Sequence, residues 1–239
     1  MNTVIIMAQG QQTRLPSLDQ PKQKLTIDEV LYSGRVYRPI SILHRIINQV
    51  VERGPHPFVI GPQELELETY QKGLVYTLVD PGECILSGIL ASQLLFGEER
   101  TVILLGDVVY SNAAMERVLS CDLPLFFAGT ETISPSEGEI FAFGFSRSVQ
   151  RQVTEALRKS PCLDHQGAHV DYKGQPGHLR QLIRTLRNNG AVVDYLVIDD
   201  WTNDIDTEED LRLLLPELRQ RVAEENVADG RHLTSDRSL

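Results

Sequence analysis

Cationic charge is scarce in this chain. Its 23 lysines and arginines face 33 aspartates and glutamates, a formal net charge of −10 over 239 residues. Affinity for a nucleic acid is built largely from many Lys and Arg contacts to phosphate, so no nucleic-acid partner is expected. An anionic ligand has to be small and has to meet a local gathering of cations. Long hydrophobic runs are missing too. No apolar stretch approaches the roughly 18–20 residues that span a bilayer, so no membrane partner is expected. The opening "MNTVIIMAQG" has no basic leader and no small-residue cleavage site, and reads as a first β-strand. Cysteine is sparse: Cys84, Cys121 and Cys162 are odd in number and widely spaced, which is neither a disulfide framework nor a zinc set. Reduced thiols and a cytoplasmic address are the expectation. There is no internal repeat, and no linker that divides two domains.

What is present is ordinary for a folded α/β chain. With 41% hydrophobic and 23% charged residues, a sizeable core is available and wholesale disorder is not expected. Strand-like runs alternate with helical periodicity. "TVIIM" (3–7) reads as a buried strand and "PISILHRIINQVVERG" (39–54) as a helix with a glycine stop. "FVIG" (58–61) and "LVYTLVD" (74–80) are strands, and "CILSGILASQLLFG" (84–97) is helical with Gly97 as its cap. "RTVILLGD" (100–107) is an unbroken β-branched and leucine run, as in sheets covered on both faces. A short helix (113–120) and the strand "PLFFAG" (124–129) follow. Further on, "IFAFGFS" (140–146) alternates as a strand, and helices are expected around 148–158 and over 178–190. "VVDYLVIDDW" (192–201) is strand-like, and 207–225 is a helix that Thr207 can cap and Pro216 can kink. Such alternation implies a three-layer, doubly wound, mostly parallel sheet of Rossmann-like type. Residues 1–225 are expected to form a single domain, with a polar, fraying tail over 226–239.

Three places can carry chemistry. The first is "MAQGQQTRLP" (7–16), directly after the first strand. Gly10 lets backbone N–H groups turn toward a ligand, and Arg14 offers a fork suited to phosphate oxygens. Eight residues later Lys22 and Lys24 of "PKQKL" add mobile cations, so three positive side chains flank one loop in an acidic chain. A solvated turn is the plain alternative. The second is Asp107 in "LLGDVVYS", just past the carboxyl end of the strongest strand, where ligands bind in open parallel sheets. It can coordinate a hard cation such as Mg²⁺ or cap the next helix. The third is "WTNDIDTEEDL". Asp204 and Asp206 alternate around Ile205, so one of them is expected to face a cleft shared with Asp107 and the other to be a turn former or cap.

The combination of strand, Gly/Arg loop, Pro-Lys, central Gly-Asp and late Asp-Ile-Asp-Thr resembles the nucleotidyltransferases of the nucleotide-diphospho-sugar transferase (GT-A-like) fold. That family's loop runs roughly AxGxGxR-L-x-P, followed by P-K-x-x-L. Here it reads Ala8-Gln9-Gly10-Gln11-Gln12-Thr13-Arg14-Leu15-Pro16, then Pro21-Lys22-Gln23-Lys24-Leu25. "VILLGDVVYS" is close to the family's metal-binding strand end, and "DIDTEEDL" to its "DIDTPEDL" ending. The likeness spans about residues 3 to 215, loosely over 130–190. One departure stands out: Gln12 replaces the second loop glycine, and a side chain there crowds the approach of backbone to phosphate.

The resemblance implies an enzyme that joins a nucleoside monophosphate from an NTP to a sugar phosphate or similar small phosphorylated acceptor, releasing pyrophosphate. It implies Asp107 and Asp206 on Mg²⁺, with Arg14 on the leaving phosphates and Lys22 at the α-phosphate. Residues 8–14 would bind nucleotide, with Gly82 and Ser87 near the base. Lys24 and Asp204 are further candidates, and a homodimer is compatible with the family. Two alternatives share the fold. One is a nucleotide-binding or regulatory protein that has lost turnover, with Gln12 as its mark. The other is a glycosyltransferase, which usually carries Asp-x-Asp where this chain has Asp107-Val108-Val109. His165, His169 and His178 have no zinc spacing and read as surface histidines. Trp201 is expected to be buried under the last helix rather than to line a cleft.

Overall fold

Val4, Ile6 and Ala8 are buried on one face of a central sheet while Ile5 and Met7 are buried on the other, as the alternation of side chains along a strand requires. The computed structural model describes residues 2–8, 21–32, 36–61, 75–76, 84–130, 139–160 and 178–228. Strand β1 (Asn2–Met7) leads to a 3₁₀ turn (Lys22–Lys24) and an antiparallel pair, β2 (Thr26–Tyr32) with β3 (Val36–Ser41). Helix α1 (Ile42–Glu52) starts where the hydroxyl of Ser41 accepts the His44 N–H, a side-chain cap. Then come β4 (Pro57–Ile60), β5 (Val75–Tyr76), α2 (Ile85–Ala91), β6 (Arg100–Leu105), β7 (Val108–Val109) and α3 (Asn112–Ser120). The second half runs β8 (Leu125–Gly129), β9 (Ile140–Ser146), α4 (Gln150–Lys159), α5 (His178–Asn188), β10 (Asp194–Val197), β11 (Asn203–Asp204) and α6 (Glu208–Ala228).

Among the described residues seven strands form the main sheet, in the order β10-β8-β9-β6-β1-β4-β5. Six run in one direction and β9 alone runs against them, between β6 and β8. The sheet is therefore mostly parallel, as expected. One face packs Val102, Leu104, Phe126 and Ala128 against α1, α3 and α6. The other packs Ile103, Leu125, Phe127, Phe143 and Phe145 against α2, α4 and α5. Strands covered on both sides have to be apolar on both sides, which is why "TVILL" reads as a continuous run. The chain goes outward from β1 through β4 to β5, then returns to place β6 on the other side of β1. In open α/β sheets such a reversal of strand order marks the place where ligands bind, here the carboxyl ends of β1 and β6.

Several local expectations shift. The segment 26–41 is a β-ribbon, and the helix read from residue 39 begins only at Ile42. Gly97 is not a helix cap, because α2 ends at Ala91 and a 3₁₀ turn over Ser92–Leu95 follows. Pro216 lies inside one unbroken helix, which continues through Ala228, three residues into the stretch read as a tail. Reduced thiols fail at Cys84, which is disulfide-bonded, while Cys121 is free. Distance along the sequence does not keep sulfurs apart once the chain has folded, and the thiol argument for a cytoplasmic address goes with it. Among the described residues no helix is long and apolar enough to cross a membrane.

Candidate active site

Asp107 owes its position to the glycine before it. The Gly106 N–H donates to the Met7 carbonyl at 2.9 Å, and the Ala8 N–H donates to the Ile60 carbonyl at 2.7 Å. These bonds carry the sheet pattern past the strand ends and press the Gly106 turn onto Ala8. A β-carbon at Gly106 would lie 3.0 Å from the Ala8 Cα and 3.1 Å from both its Cβ and the Met7 carbonyl oxygen. A side chain at Gly106 would push the Asp107 turn away from the exit of β1. Tyr110 locks the turn from below: its buried hydroxyl accepts the Leu105 N–H at 3.2 Å and donates to the Phe141 carbonyl. Burial, with the carboxylates of Asp107 and Asp204 adding to it, pushes this phenol well above its ordinary range against the opposing Leu105 backbone bond. It remains a neutral donor.

Asp107 does not cap the next helix. Ser111 does, its hydroxyl accepting the Ala114 N–H at 2.8 Å. That same hydroxyl donates to Asp200, whose other oxygen accepts the Thr202 N–H, so the start of α3 is tied to the stretch leading into β11. β11 pairs antiparallel with β7, Asp204 opposite Val108. The late acidic segment thus arrives beside Asp107.

The start of α6 then aims Asp206. Thr207 caps the helix by accepting the Asp210 N–H at 3.1 Å, and the Asp210 carboxylate reaches back to accept the N–H groups of Asp206 and Thr207 and the Thr207 hydroxyl. This reciprocal capping box fixes the backbone of Asp206. Its side chain meets Lys22: the ammonium donates to Asp206 Oδ1 at 2.8 Å and lies 2.6 Å from Asp107 Oδ2. All three side chains are largely enclosed, 13% exposed for Lys22 and Asp206 and 19% for Asp107. Pro21 and the 3₁₀ turn hold the lysine, with the Lys24 and Leu25 N–H groups bonded to the carbonyls of Pro21 and Lys22 and with Gln23 and Leu25 buried as anchors. Burial pulls the Lys22 pKa down, but the carboxylates of Asp107, Asp206 and Asp204 outweigh it and raise it above the ordinary lysine value.

Asp204 is neither cap nor turn former. It joins the same cluster, hydrogen-bonded to Glu139 and close to Asp206 and Asp107. Burial first, and then Asp206 and Glu139, push its carboxyl well above the usual range. The expectation that only one of Asp204 and Asp206 faces the cleft fails, because the regular extended segment stops after Asp204 and the chain turns at Asp206 into its cap. Glu139, just ahead of β9, carries no sequence signal for this role.

Ala8 lies buried at the end of β1, where the loop departs. Lys24 closes the 3₁₀ turn. The Ser87 hydroxyl donates to the Cys84 carbonyl at 2.7 Å and accepts the Cys84 N–H, so it serves the start of α2. Gln9, Gly10, Gln11, Gln12, Thr13, Arg14 and Gly82 lie outside the described residues, as do His165 and His169. His178 begins α5, where burial lowers its pKa. Trp201, expected to be buried, is half-buried: it packs against the core with the Arg45 guanidinium 6.0 Å above its ring.

The donor set suits a hard divalent cation. Among the described residues no group of three or more His, Cys, Asp or Glu side chains forms a metal cage. Mg²⁺ does not need one: it is usually held by one or two carboxylates together with waters and substrate phosphates. Two carboxylate oxygens from distant parts of the chain already converge here on one cationic centre.

No family model matches the chain, and no curated protein matches it. Solved structures do. A protein assigned as a glucose-1-phosphate thymidylyltransferase from Bacillus anthracis superposes with a TM-score of 0.63 at 15% identity, covering 92% of this chain and 96% of that one. The inositol-1-phosphate CTP transferase from T. maritima gives 0.63 at 13% identity, covering 93% and 96%. A CMP:2-keto-3-deoxy-manno-octonic acid synthetase complexed with CTP gives 0.58 at 14% identity, covering 94% and 99%. The chain shares the fold of these structures over nearly its whole length.

Proposed function

We propose that the protein is a Mg²⁺-dependent nucleotidyltransferase that transfers NMP from an NTP to a sugar phosphate or a similar small phosphorylated acceptor. The observation that carries this reading is the meeting of Asp107 and Asp206 on one cationic point at the switch of strand order, beside the exit of β1. The three fold relatives are named for thymidylyl, CTP and CMP transfer or synthesis, which supports the same class.

In this reaction an acceptor phosphate oxygen attacks the α-phosphorus of the NTP. The bond from that phosphorus to the oxygen bridging the α- and β-phosphates breaks, and pyrophosphate leaves with the electron pair. An ionised phosphate needs no general base, so the chain's task is positioning and charge neutralisation. Asp107 and Asp206 would hold the metal, which when bound supplies Lewis-acid neutralisation of phosphate charge. Lys22 would offer its ammonium to phosphate oxygens, and Arg14 with the backbone of 8–13 would take the leaving phosphates. Ser87 and Gly82 would lie toward the base.

The test is pyrophosphate release with each of the four NTPs and a panel of phosphorylated small acceptors, with Mg²⁺. The native chain releases pyrophosphate with at least one pair. Asp107→Ala abolishes release while its circular dichroism stays native. Turnover near normal in that variant would remove the metal role. Nucleotide binding without release for any acceptor would favour the regulatory alternative that Gln12 suggests.

A further inference from the structure

Lys22 occupies the place that the function above gives to a metal. Its ammonium is within 2.8 Å of both carboxylates, and the three groups are shielded enough that the attraction is screened little. To make room for a metal the lysine swings its stem, and a buried ammonium that moves needs another anion to receive it. Nucleotide phosphates are such an anion, and would be delivered to this same site.

We infer that the Lys22 ammonium is a resident counter-cation which a divalent ion must displace from between Asp107 and Asp206, so that metal alone binds weakly and a nucleoside triphosphate opens the gap by drawing the lysine onto its phosphates. The inference rests on the proposed nucleotide site only for the identity of the second anion. The competition between lysine and metal stands on the geometry alone. It has a reciprocal consequence: whatever factor nucleotide contributes to metal affinity, metal contributes to nucleotide affinity, and Lys22 carries that coupling.

The test is Mn²⁺ binding followed by electron paramagnetic resonance, first without nucleotide and then with an NTP analogue whose α,β-bridge cannot be cleaved. In the native chain Mn²⁺ alone binds at least about tenfold more weakly than in Lys22→Met, and the analogue tightens native Mn²⁺ binding by about tenfold or more. In Lys22→Met that tightening shrinks to less than about threefold. Lys159→Met, which removes the same charge at the exposed end of α4, keeps the native pattern. Equal Mn²⁺ affinity in native and Lys22→Met, or undiminished coupling in Lys22→Met, overturns the inference; the latter would mean that simple charge removal explains any gain.

A readout on the native chain covers the case in which Lys22→Met does not fold. Pulsed amine acylation read by mass spectrometry finds Lys22 protected without metal, labelled faster under saturating Mn²⁺, and protected again when the analogue is added. Labelling that ignores Mn²⁺ overturns the inference. Absence of pyrophosphate release with every NTP would sink the proposed activity and leave these metal measurements standing, so the two failures are distinguishable.

Discussion

Lys22 and Asp206 stand 184 positions apart in the chain and share a 2.8 Å hydrogen bond. Neither is placed by its own segment alone. Lys22 is set by a proline-led 3₁₀ turn and Asp206 by the cap of the last helix, and the two elements meet because β11 docks on β7 beside Asp107. Each joint in that construction can be tested by itself.

Gly106→Ala inserts a methyl group 3.0 Å from the Ala8 backbone. Overpacking of this kind costs about 1–3 kcal/mol. Since the neighbours are backbone, relief comes by moving the Asp107 turn outward. A denaturant melt shows the lost stability, and kcat falls by more than KM rises. Unchanged stability would mean that the approach of the two turns is looser than described.

Tyr110→Phe removes the hydroxyl that serves both Leu105 and Phe141. Buried backbone groups left without a partner cost about 1–3 kcal/mol. The variant melts lower yet keeps its fold, since the ring still fills the same volume. A melt indistinguishable from native would show that the hydroxyl does not pin the turn.

Asp210→Ala removes the return half of the capping box, which serves Asp206 and Thr207. Stability drops by about 1 kcal/mol, as for other N-terminal caps. Because the backbone of Asp206 loses its tether, turnover falls several-fold more than a surface change of equal stability cost would produce. Loss of stability with full turnover would make the box purely structural.

Asp204→Asn addresses the pH dependence. The folded state raises the Asp204 pKa through burial and the charges of Asp206 and Glu139. It therefore binds the proton more tightly than the unfolded chain, and stability falls as pH rises from the ordinary carboxylate value through the raised one. Asparagine cannot ionise, so this part of the slope vanishes. Chemical melts from pH 4 to 7 show the variant gaining on the native chain as pH rises. A constant difference across that range would contradict the assignment.

Much of this architecture was legible in the sequence because burial on both faces leaves a strong trace. β1 and β6 are covered by helices on each side, and their unbroken apolar runs say so. The capping role of Thr207 was legible for a similar reason: threonine followed by acidic residues is a local signal. The ribbon over 26–41 was hidden by the proline at 39 and the helical spacing that follows it. Other features depend on tertiary contact and leave no periodicity to read. β7 and β11 are two residues long. Glu139 reaches Asp204 from the residue just before β9. The place of Lys22 followed from the resemblance as a phosphate contact, whereas the folded chain shows its ammonium between the two aspartates. Composition and spacing could locate the charges but not pair them.

The central claim is that Asp107 and Asp206 hold one divalent ion with a nucleotide. Crystals grown with Mn²⁺ and a non-cleavable NTP analogue, measured at the manganese absorption edge, test it most directly. An anomalous peak bonded to oxygens of both aspartates, with Lys22 turned toward phosphate, is the predicted result. A manganese site away from either carboxylate, with nucleotide bound, would contradict it.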